Sequence, residues 1–213
     1  MFMPLFTSFI IFVAFVHLAI RRSDRAKKDA DAEFFKKEHD AAFVRKKSLD
    51  DLDYITIPLN DLPFSIMNDD PEVVHAEETI KKLAGEKIVN LTGISNTDLK
   101  LKYGTANITP LTEYDMNYLE LARMLNKWGK KLYQAGHFTE AAKVLSFAVH
   151  TGSDIKQTWH LYIDCLRLHM DLDPEESTVR IRALTPLAES LNALSKDAIL
   201  REIDEQTKDS ASS

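Results

Sequence analysis

The pattern of apolar positions along residues 121–153 is that of two helices joined by a short turn. Apolar residues recur every three or four positions up to Leu132 and resume at Ala141, which is the spacing that gives a helix one apolar face. Between the two runs, Gly136 stands where a helix can end in a left-handed residue. Helices linked by so short a turn pack antiparallel, each covering the apolar face of the other. The sequence therefore predicts a helical hairpin.

Helix caps and prolines predict further helices on both sides of the hairpin. Aspartate or serine favours a helix start, proline favours the first turn, and glycine favours the end. Thr112, with Asp115 three positions later, predicts the start of the first hairpin helix. The other predicted starts are at Asp70, Thr97, Pro174, Pro186 and Ser195, and the predicted ends before the hairpin are Gly85 and Gly104. The last helix should carry an apolar stripe of Leu194, Ile199, Leu200 and Ile203. The expected fold class is mainly α.

Residues 48–110, before the hairpin, combine short helices with a segment that is not helical. Residues 48–63 mix apolar residues with aspartates and two prolines, and they show no sustained helical period. We interpret them as an extended segment laid along the helical domain, because so many apolar residues normally find burial. A linear motif displayed for a partner is the alternative.

The first twenty residues have the character of a membrane span. Residues 2–20 carry no formal charge, and residues 9–16 are wholly aliphatic or aromatic. A helix of this length rises about 28 Å, close to the hydrocarbon thickness of a bilayer. A signal peptide would begin with basic residues and end in small residues at a cleavage site, and this run has neither feature. The sequence therefore predicts an uncleaved transmembrane anchor over residues 1–20.

Residues 21–47 are predicted to form a charged helical stalk. They contain ten basic and six acidic residues, a net charge of +4; since the whole chain carries −6, residues 48–213 carry −10. Basic residues directly after the span place the remainder of a single-pass protein in the cytoplasm, here at the cell membrane. The apolar residues of the stalk could dip into the membrane interface or pack on a second stalk, or the stalk could be only a solvated spacer. These residues are Phe34, Phe35, Phe43 and Val44.

Several residues of the hairpin recur at the positions of a known repeat. They are Trp128, Gly129, Leu132, Gly136, Ala141, Leu145 and Ala148; 34 residues after Leu125 comes Trp159, followed by Tyr162 and Leu166. In these positions the chain resembles the tetratricopeptide repeat family, whose unit is a helix-turn-helix of 34 residues. The small residues Gly129 and Ala141 would let the two helices approach closely. A second unit departs from the family pattern at Ile163, Val179 and Arg182, and an ordinary helical bundle with a similar hairpin is the alternative.

The resemblance implies a ligand groove lined by fixed positions of each first helix. Those positions are Arg123, Asn126, Lys130, Tyr133 and Gln134 in the first unit and Gln157, His160, Asp164, Arg167 and Leu168 in the second. Arg123, Lys130 and Arg167 would form a basic strip suited to a peptide with acidic groups. The subtype of the family that clamps carboxylates does not match, because Leu161 replaces an amide. Alternatively, these residues form a solvated face or are covered by residues 48–63.

Motifs that carry chemistry are not found in the sequence. It contains no glycine-rich phosphate loop, no paired cysteines and no nucleophile elbow. Cys165 and His169 lie four apart on one helical face, but two ligands are too few for a metal site and Asp173 is a speculative third. We expect no catalytic residue, cofactor or metal. The single cysteine allows no internal disulfide, and the acidic balance after the stalk argues against a nucleic-acid partner.

These features predict a single-pass, N-terminally anchored protein at the cell membrane. Its cytoplasmic domain, a tetratricopeptide-like helical domain over residues 111–207 with a disordered tail at 208–213, would bind a protein or peptide as an adaptor or scaffold. One alternative is a structural component of a membrane complex that forms homo-oligomers through the stalk. A second is an enzyme that uses Cys165 and His169.

Overall fold

The computed structural model describes residues 3–208, except for the side chains of residues 3–8, 10, 11, 13, 14 and 26. Within this range all regular structure is helical, which confirms the predicted mainly-α class. The helices are α1 (Met3–Ala42), α2 (Pro71–Leu83), α3 (Asn96–Tyr103), α4 (Ile108–Gln134), α5 (Phe138–His150), α6 (Lys156–Asp164), α7 (Pro174–Arg182), α8 (Thr185–Ser190) and α9 (Lys196–Lys208). A 3₁₀ turn lies at Thr105–Asn107 and a π-helical turn at Cys165–His169.

Part of the predicted anchor and most of the predicted tail fall outside the described part of the chain. Of the predicted anchor, residues 1 and 2 and most side chains up to residue 14 are outside it, as are residues 209–213 of the predicted tail. Among the residues that are described, no helix combines the length and the apolar character needed to cross a membrane.

The chain divides into two compact units. The first unit comprises Met1–Ser48 and Ser95–Ile108, and the second comprises Leu49–Ile94 and Thr109–Ser213. The domain boundaries expected from the sequence, at residues 20, 47, 110 and 207, stay predictions.

In the first unit, α3 and the 3₁₀ turn hold the end of α1. Lys100 of α3 forms an ion pair with Glu38 of α1 at 2.8 Å, and the hydroxyl of Thr105 donates to the carbonyl of Ala41 at 3.1 Å. Ala41 is fully buried. The last two turns of the charged stalk therefore have a packed side, although their sequence is typical of a solvated helix.

Gly104 and Asn107 hold the chain that follows α1. Gly104 has φ +88°, and a Cβ there would lie 2.4 Å from the carbonyl oxygen of Arg45, so only glycine fits. The buried amide of Asn107 donates to the carbonyls of Lys47 at 2.8 Å and Tyr103 at 2.7 Å. The predicted stalk helix over residues 21–47 is therefore wrong at its end: the helix stops at Ala42, and the backbone of Lys47 bonds to Tyr103 and Asn107 instead.

In the second unit, the predicted turn of the hairpin is confirmed. Helix α4 ends at Gln134, and Gly136 adopts φ +84°. The N–H of His137 donates to the carbonyl of Leu132 at 2.9 Å, and that of Gly136 to Tyr133 at 3.1 Å. These two bonds satisfy carbonyls that the helix end would otherwise leave without donors.

The start of α4 differs from the prediction. The helix begins at Ile108 rather than at Thr112. Asp115, expected to complete the cap, instead accepts a hydrogen bond from the N–H of Leu91 at 3.1 Å. A tertiary contact thus uses the carboxylate that the local pattern assigned to capping.

Helices α4 and α5 approach closely at Gly129, as the pattern predicted. A Cβ at Gly129 would lie 2.5 Å from Cδ2 of Leu145, which is well inside van der Waals contact. Both Leu145 and the neighbouring Trp128 are fully buried. The absence of a side chain at Gly129 is therefore what lets the leucine fill the space between the two helices.

Residues 49–63 belong to the second unit, and two of their apolar residues are buried in its core. Ile57 and Leu62 are buried in the same core cluster as α2, α4 and α5. The N–H of Ile55 donates to the carbonyl of Ile88 at 2.9 Å. Just beyond the segment, the ring of Phe64 stacks on Trp128 with centroids 5.0 Å apart.

The closing helices form a second core cluster. Ile199 and Ile203 of α9 are buried there, as the predicted stripe requires, but Leu194 precedes the helix and is fully exposed. Asp173 caps α7, accepting from the N–H of Glu176 at 2.7 Å. Ser195 precedes α9, yet the predicted side-chain cap is wrong, because its buried hydroxyl has no hydrogen-bond partner in the described part of the chain.

Helix α2 begins as predicted, and its cap joins an ion-pair cluster. Asp70 accepts from the N–H of Glu72 at 2.8 Å. Lys131 of α4 pairs with both carboxylates, and Lys127 pairs with Glu72 at 2.9 Å. The Lys131 ammonium is the main cause of a lowered pKa at Asp70 and at Glu72, and these carboxylates in turn raise the pKa of Lys131.

Replacing Lys131 with methionine is expected to lower the urea midpoint of unfolding more at pH 7 than at pH 3. A carboxylate whose pKa is lowered by folding contributes stability above its ordinary value, here 3.8 for Asp70 and 4.5 for Glu72, and that contribution is lost as the pH falls through the folded pKa. Urea titrations of both proteins at the two pH values measure the effect. Lys143→Met, at an exposed position of α5, is the control; an equal loss at both pH values would contradict the prediction.

Candidate functional site

Four of the predicted groove residues meet between α4 and α6. The side-chain oxygen of Asn126 accepts from the hydroxyl of Thr158 at 3.0 Å, and its amide nitrogen donates to Gln157 at 3.4 Å. Two helical turns further along, the hydroxyl of Tyr133 donates to Asp164 at 3.3 Å. Burial and the charge of Asp164 raise the pKa of Tyr133, which keeps the phenol a donor. These contacts define a polar face shared by α4 and α6.

Helix α9 extends this face with residues that the sequence did not single out. Nδ1 of His160 lies 2.5 Å from Oε1 of Glu202, and the guanidinium of Arg167 donates to Gln206. Glu202 and Gln206 are four residues apart, on the polar side of a helix that buries Ile199. That spacing was the only available signal, since nothing in the sequence pairs α9 with α6.

A cleft of about 720 Å³ opens between α6 and α9. Its charged and hydrogen-bonding side chains include Lys156, Gln157, His160, Arg201, Glu202 and Glu205. We call it the α6–α9 cleft. Both signs of charge are present, so the acidic side chains of α9 offset the basic character that was expected of the groove.

Glu202 is the most confined charged group of the α6–α9 cleft. Its side chain is only 13% exposed. One carboxylate oxygen faces His160, and the other, Oε2, is buried without a hydrogen-bond partner in the described part of the chain. A buried acceptor without a donor costs free energy, so this oxygen is a site where a bound N–H donor would be favourable.

The three basic residues of the predicted strip have different surroundings. Arg123 pairs with Glu120 at 3.3 Å and lines another pocket, between α2 and α4. Lys130 is partly buried on α4 and forms no ion pair with any residue that the structure describes, whereas Arg167 contacts α9. The remaining two predicted positions, Gln134 and Leu168, are exposed.

Cys165 and His169, the residues of the enzyme alternative, are held by packing. Burial, with the charge of Asp164 adding to it, raises the pKa of the Cys165 thiol to about 12, so a reactive thiolate is not favoured. The ring of His169 stacks on Phe138 with centroids 3.6 Å apart. Among the described residues, no three His, Cys, Asp or Glu side chains are grouped so that they could hold a metal ion.

No protein-family model, curated protein or solved structure matches the chain. Membership of the tetratricopeptide repeat family therefore stays a prediction.

Proposed function

We propose that this chain is a protein-binding module, an adaptor or scaffold. Its N-terminal residues would anchor it in the cell membrane, and residues 48–213 would lie in the cytoplasm. The partner, a peptide or an exposed protein segment, would bind in a tetratricopeptide-like groove along the polar face of α4 and α6 and in the α6–α9 cleft. The observation that carries the proposal is the α6–α9 cleft itself, with the buried, unpartnered oxygen of Glu202 at its wall.

The size and chemistry of the α6–α9 cleft suit a peptide. Ligand pockets commonly enclose about 300–1,000 Å³, and the cleft, at about 720 Å³, would accept several side chains. A peptide brings both backbone N–H donors for Glu202 and carbonyl acceptors for Lys156 and Arg201. Charged side chains of both signs favour selection of a particular charge pattern over general adhesion.

The membrane anchor rests on the sequence. Residues 2–20 are free of charge, and five basic residues follow within residues 21–28. The net charge of −10 over residues 48–213 would keep this part of the chain away from an anionic leaflet. The basic residues next to the anchor would be attracted to the leaflet.

The alternative function is that of a structural component that self-associates through the stalk. Phe34 is 55% exposed and Phe35 69% exposed, and both lie on the uninterrupted helix α1. If the span ends near residue 20, Phe34 lies about 21 Å further along the helix axis at 1.5 Å per residue. This distance is too great for the two rings to dip into the membrane interface. The alternative therefore requires that the rings pack on the stalk of a second copy of the chain.

The proposal is tested by incorporating a photo-crosslinking amino acid at single positions of the full chain in intact membranes. Crosslinking from Gln157, an exposed residue of the α6–α9 cleft, is expected to yield a defined product with another protein, identified by mass spectrometry. Crosslinking from Val179, which is 61% exposed on α7, is expected not to yield it. Reversing the cleft charges with Lys156→Glu/Arg201→Glu should lower the yield at Gln157 at least tenfold.

The matched charge control is Lys143→Glu/Arg182→Glu, at exposed positions away from the cleft. The same products at Gln157 and Val179, or an equal loss with the control pair, would refute the proposed cleft. A crosslinker at Phe35 that captures only a second copy of the chain, with no product at Gln157, would favour the self-associating alternative.

A further inference from the structure

A third pocket, of about 500 Å³, lies in the second unit near the C-terminal end of α5. It is formed where residues 53–55, 90–92, 147–154 and 190–193 converge. None of its lining residues belongs to the α6–α9 cleft or to the predicted groove. We call it the α5-end pocket.

Two asparagines build the rim of the α5-end pocket. The amide of Asn90 donates to the carbonyls of Thr151 at 3.1 Å and Gly152 at 3.2 Å, and that of Asn192 donates to the carbonyl of Gly93 at 2.8 Å. Gly93 has φ +77°, and a Cβ there would lie 2.3 Å from the carbonyl oxygen of Asn192. The pocket is thus preformed by cross-linked loops, which lowers the ordering cost of binding a ligand.

The α5-end pocket is lined by two carboxylates. They belong to Asp53 and Asp154; His150 also lines the pocket, and no lysine or arginine does. Within the part of the chain that the structure describes, neither carboxylate forms an ion pair or a side-chain hydrogen bond. Two unpaired carboxylates in one concave site favour a cation.

Tyr118 provides a second, independent indication of a ligand. Its side chain is 1% exposed, and its hydroxyl has no well-formed hydrogen bond in the described part of the chain. The hydroxyl lies beside Asn90, Thr151 and Asp154, three lining residues of the pocket; burial, together with the charge of Asp154, raises the pKa of Tyr118. Tyr118 does not itself line the pocket, but its protonated phenol is a buried polar group next to three residues that do, and a ligand bound to those residues could also satisfy it.

Part of the pocket wall is apolar. Ile55, Phe147 and Leu191 line the pocket, and each is at least partly buried. An aliphatic stem can lie along such a surface while its charged end meets the carboxylates, and the face of an aromatic ring adds attraction for a cation.

We propose that the α5-end pocket binds an ammonium or guanidinium group carried on a short aliphatic stem. The side chain of a lysine or arginine from a partner has this chemistry, and so does a free diamine. The site is separate from the α6–α9 cleft, so this proposal and the proposed function stand or fall independently.

The test is calorimetric titration of the full chain in a neutral detergent with small probes. N-acetyl-arginine methylamide and N-acetyl-lysine methylamide are the charged probes, and N-acetyl-citrulline methylamide is the neutral isostere of the first. At least one charged probe is expected to bind, at least tenfold more tightly than the citrulline probe. Asp53→Asn/Asp154→Asn should weaken that binding at least tenfold, while Asp61→Asn/Asp69→Asn, the same charge change at exposed positions, should alter it less than twofold.

Titration with 1,5-diaminopentane separates the two sources of the cation. Binding of the amino-acid probes but not of the diamine assigns the pocket to a partner's side chain, and equal binding assigns it to a free amine. Failure of every charged probe to bind, or an equal loss in the control pair, would overturn the proposal. If the double variant does not fold, Asp53→Asn alone, at an exposed position, is titrated in its place and distinguishes the same two outcomes.

Discussion

Replacing Gly129 with valine is expected to lower the free energy of unfolding by about 3 kcal/mol. A Cβ at this position would lie 2.5 Å from Cδ2 and 2.7 Å from Cγ of Leu145, and Leu145 is fully buried, so it has no solvent into which to move. Helix propensity works in the opposite direction, since glycine inside a helix is the less favourable residue by several tenths of a kcal/mol. A loss of stability would therefore report packing between α4 and α5 and nothing else. Denaturant unfolding followed by circular dichroism measures it.

A double-mutant cycle makes this result specific to the one contact. Leu145→Ala alone should cost about 2–5 kcal/mol through the cavity that it leaves. Combined with Gly129→Val, which refills that space, the total loss should fall short of the sum by at least about 1 kcal/mol. Gly85→Val, where the nearest atom to an added Cβ is 3.6 Å away, is the control and should change stability by less than about 0.5 kcal/mol. Additive losses would show that Gly129 and Leu145 do not share this space.

Replacing Asn107 with aspartate is expected to release the end of α1 from α3. The amide of Asn107 is the donor to two carbonyls, those of Lys47 and Tyr103, and the residue is fully buried. Aspartate is nearly isosteric but offers no donor when ionised, so it leaves two acceptors unsatisfied and adds a buried negative charge. We expect a local loss of at least about 2 kcal/mol.

Hydrogen exchange in the full chain measures this loss where it arises. A cost of about 2 kcal/mol corresponds to roughly thirtyfold faster exchange, since about 1.4 kcal/mol is a factor of ten. The effect should appear at the amide of Lys47, which donates to Tyr103 at 3.0 Å, and along α3. Asn96→Asp, the same change at the exposed first residue of α3, should not accelerate exchange. Unchanged protection at Lys47 in Asn107→Asp would show that the asparagine does not hold this junction.

The local elements of the fold were predictable because their signals lie within a few residues. Gly136 ends the first hairpin helix through a backbone conformation that glycine alone adopts without strain, and Asp70 caps α2 through N–H groups two and three residues away. The errors occur where a distant group competes for the same atoms. Asp115 bonds to Leu91 instead of capping α4, and Lys47 bonds to Tyr103 and Asn107 instead of continuing α1.

The candidate site also combines residues that the sequence analysis named with residues that only the structure revealed. Asn126, Tyr133, Gln157 and Asp164 were named only through the resemblance to the tetratricopeptide repeat, and the structure brings their side chains into contact between α4 and α6. The contribution of Glu202 could not be predicted, because it contacts His160 from a position 42 residues away in the chain. The α5-end pocket had no sequence signal, since its asparagines reach partners 61 to 99 residues away.

The sequence by itself determined the helical class, the hairpin turn and the close approach at Gly129. All of these follow from local backbone preference and from the period of apolar side chains, which act over one or two helical turns. Only the tertiary structure decided where α1 and α4 begin or end, which charged groups are paired, and which clefts remain open. Those outcomes depend on which donors, acceptors and charges meet after the helices pack, and a buried polar group takes whichever partner the packed fold brings within hydrogen-bond distance.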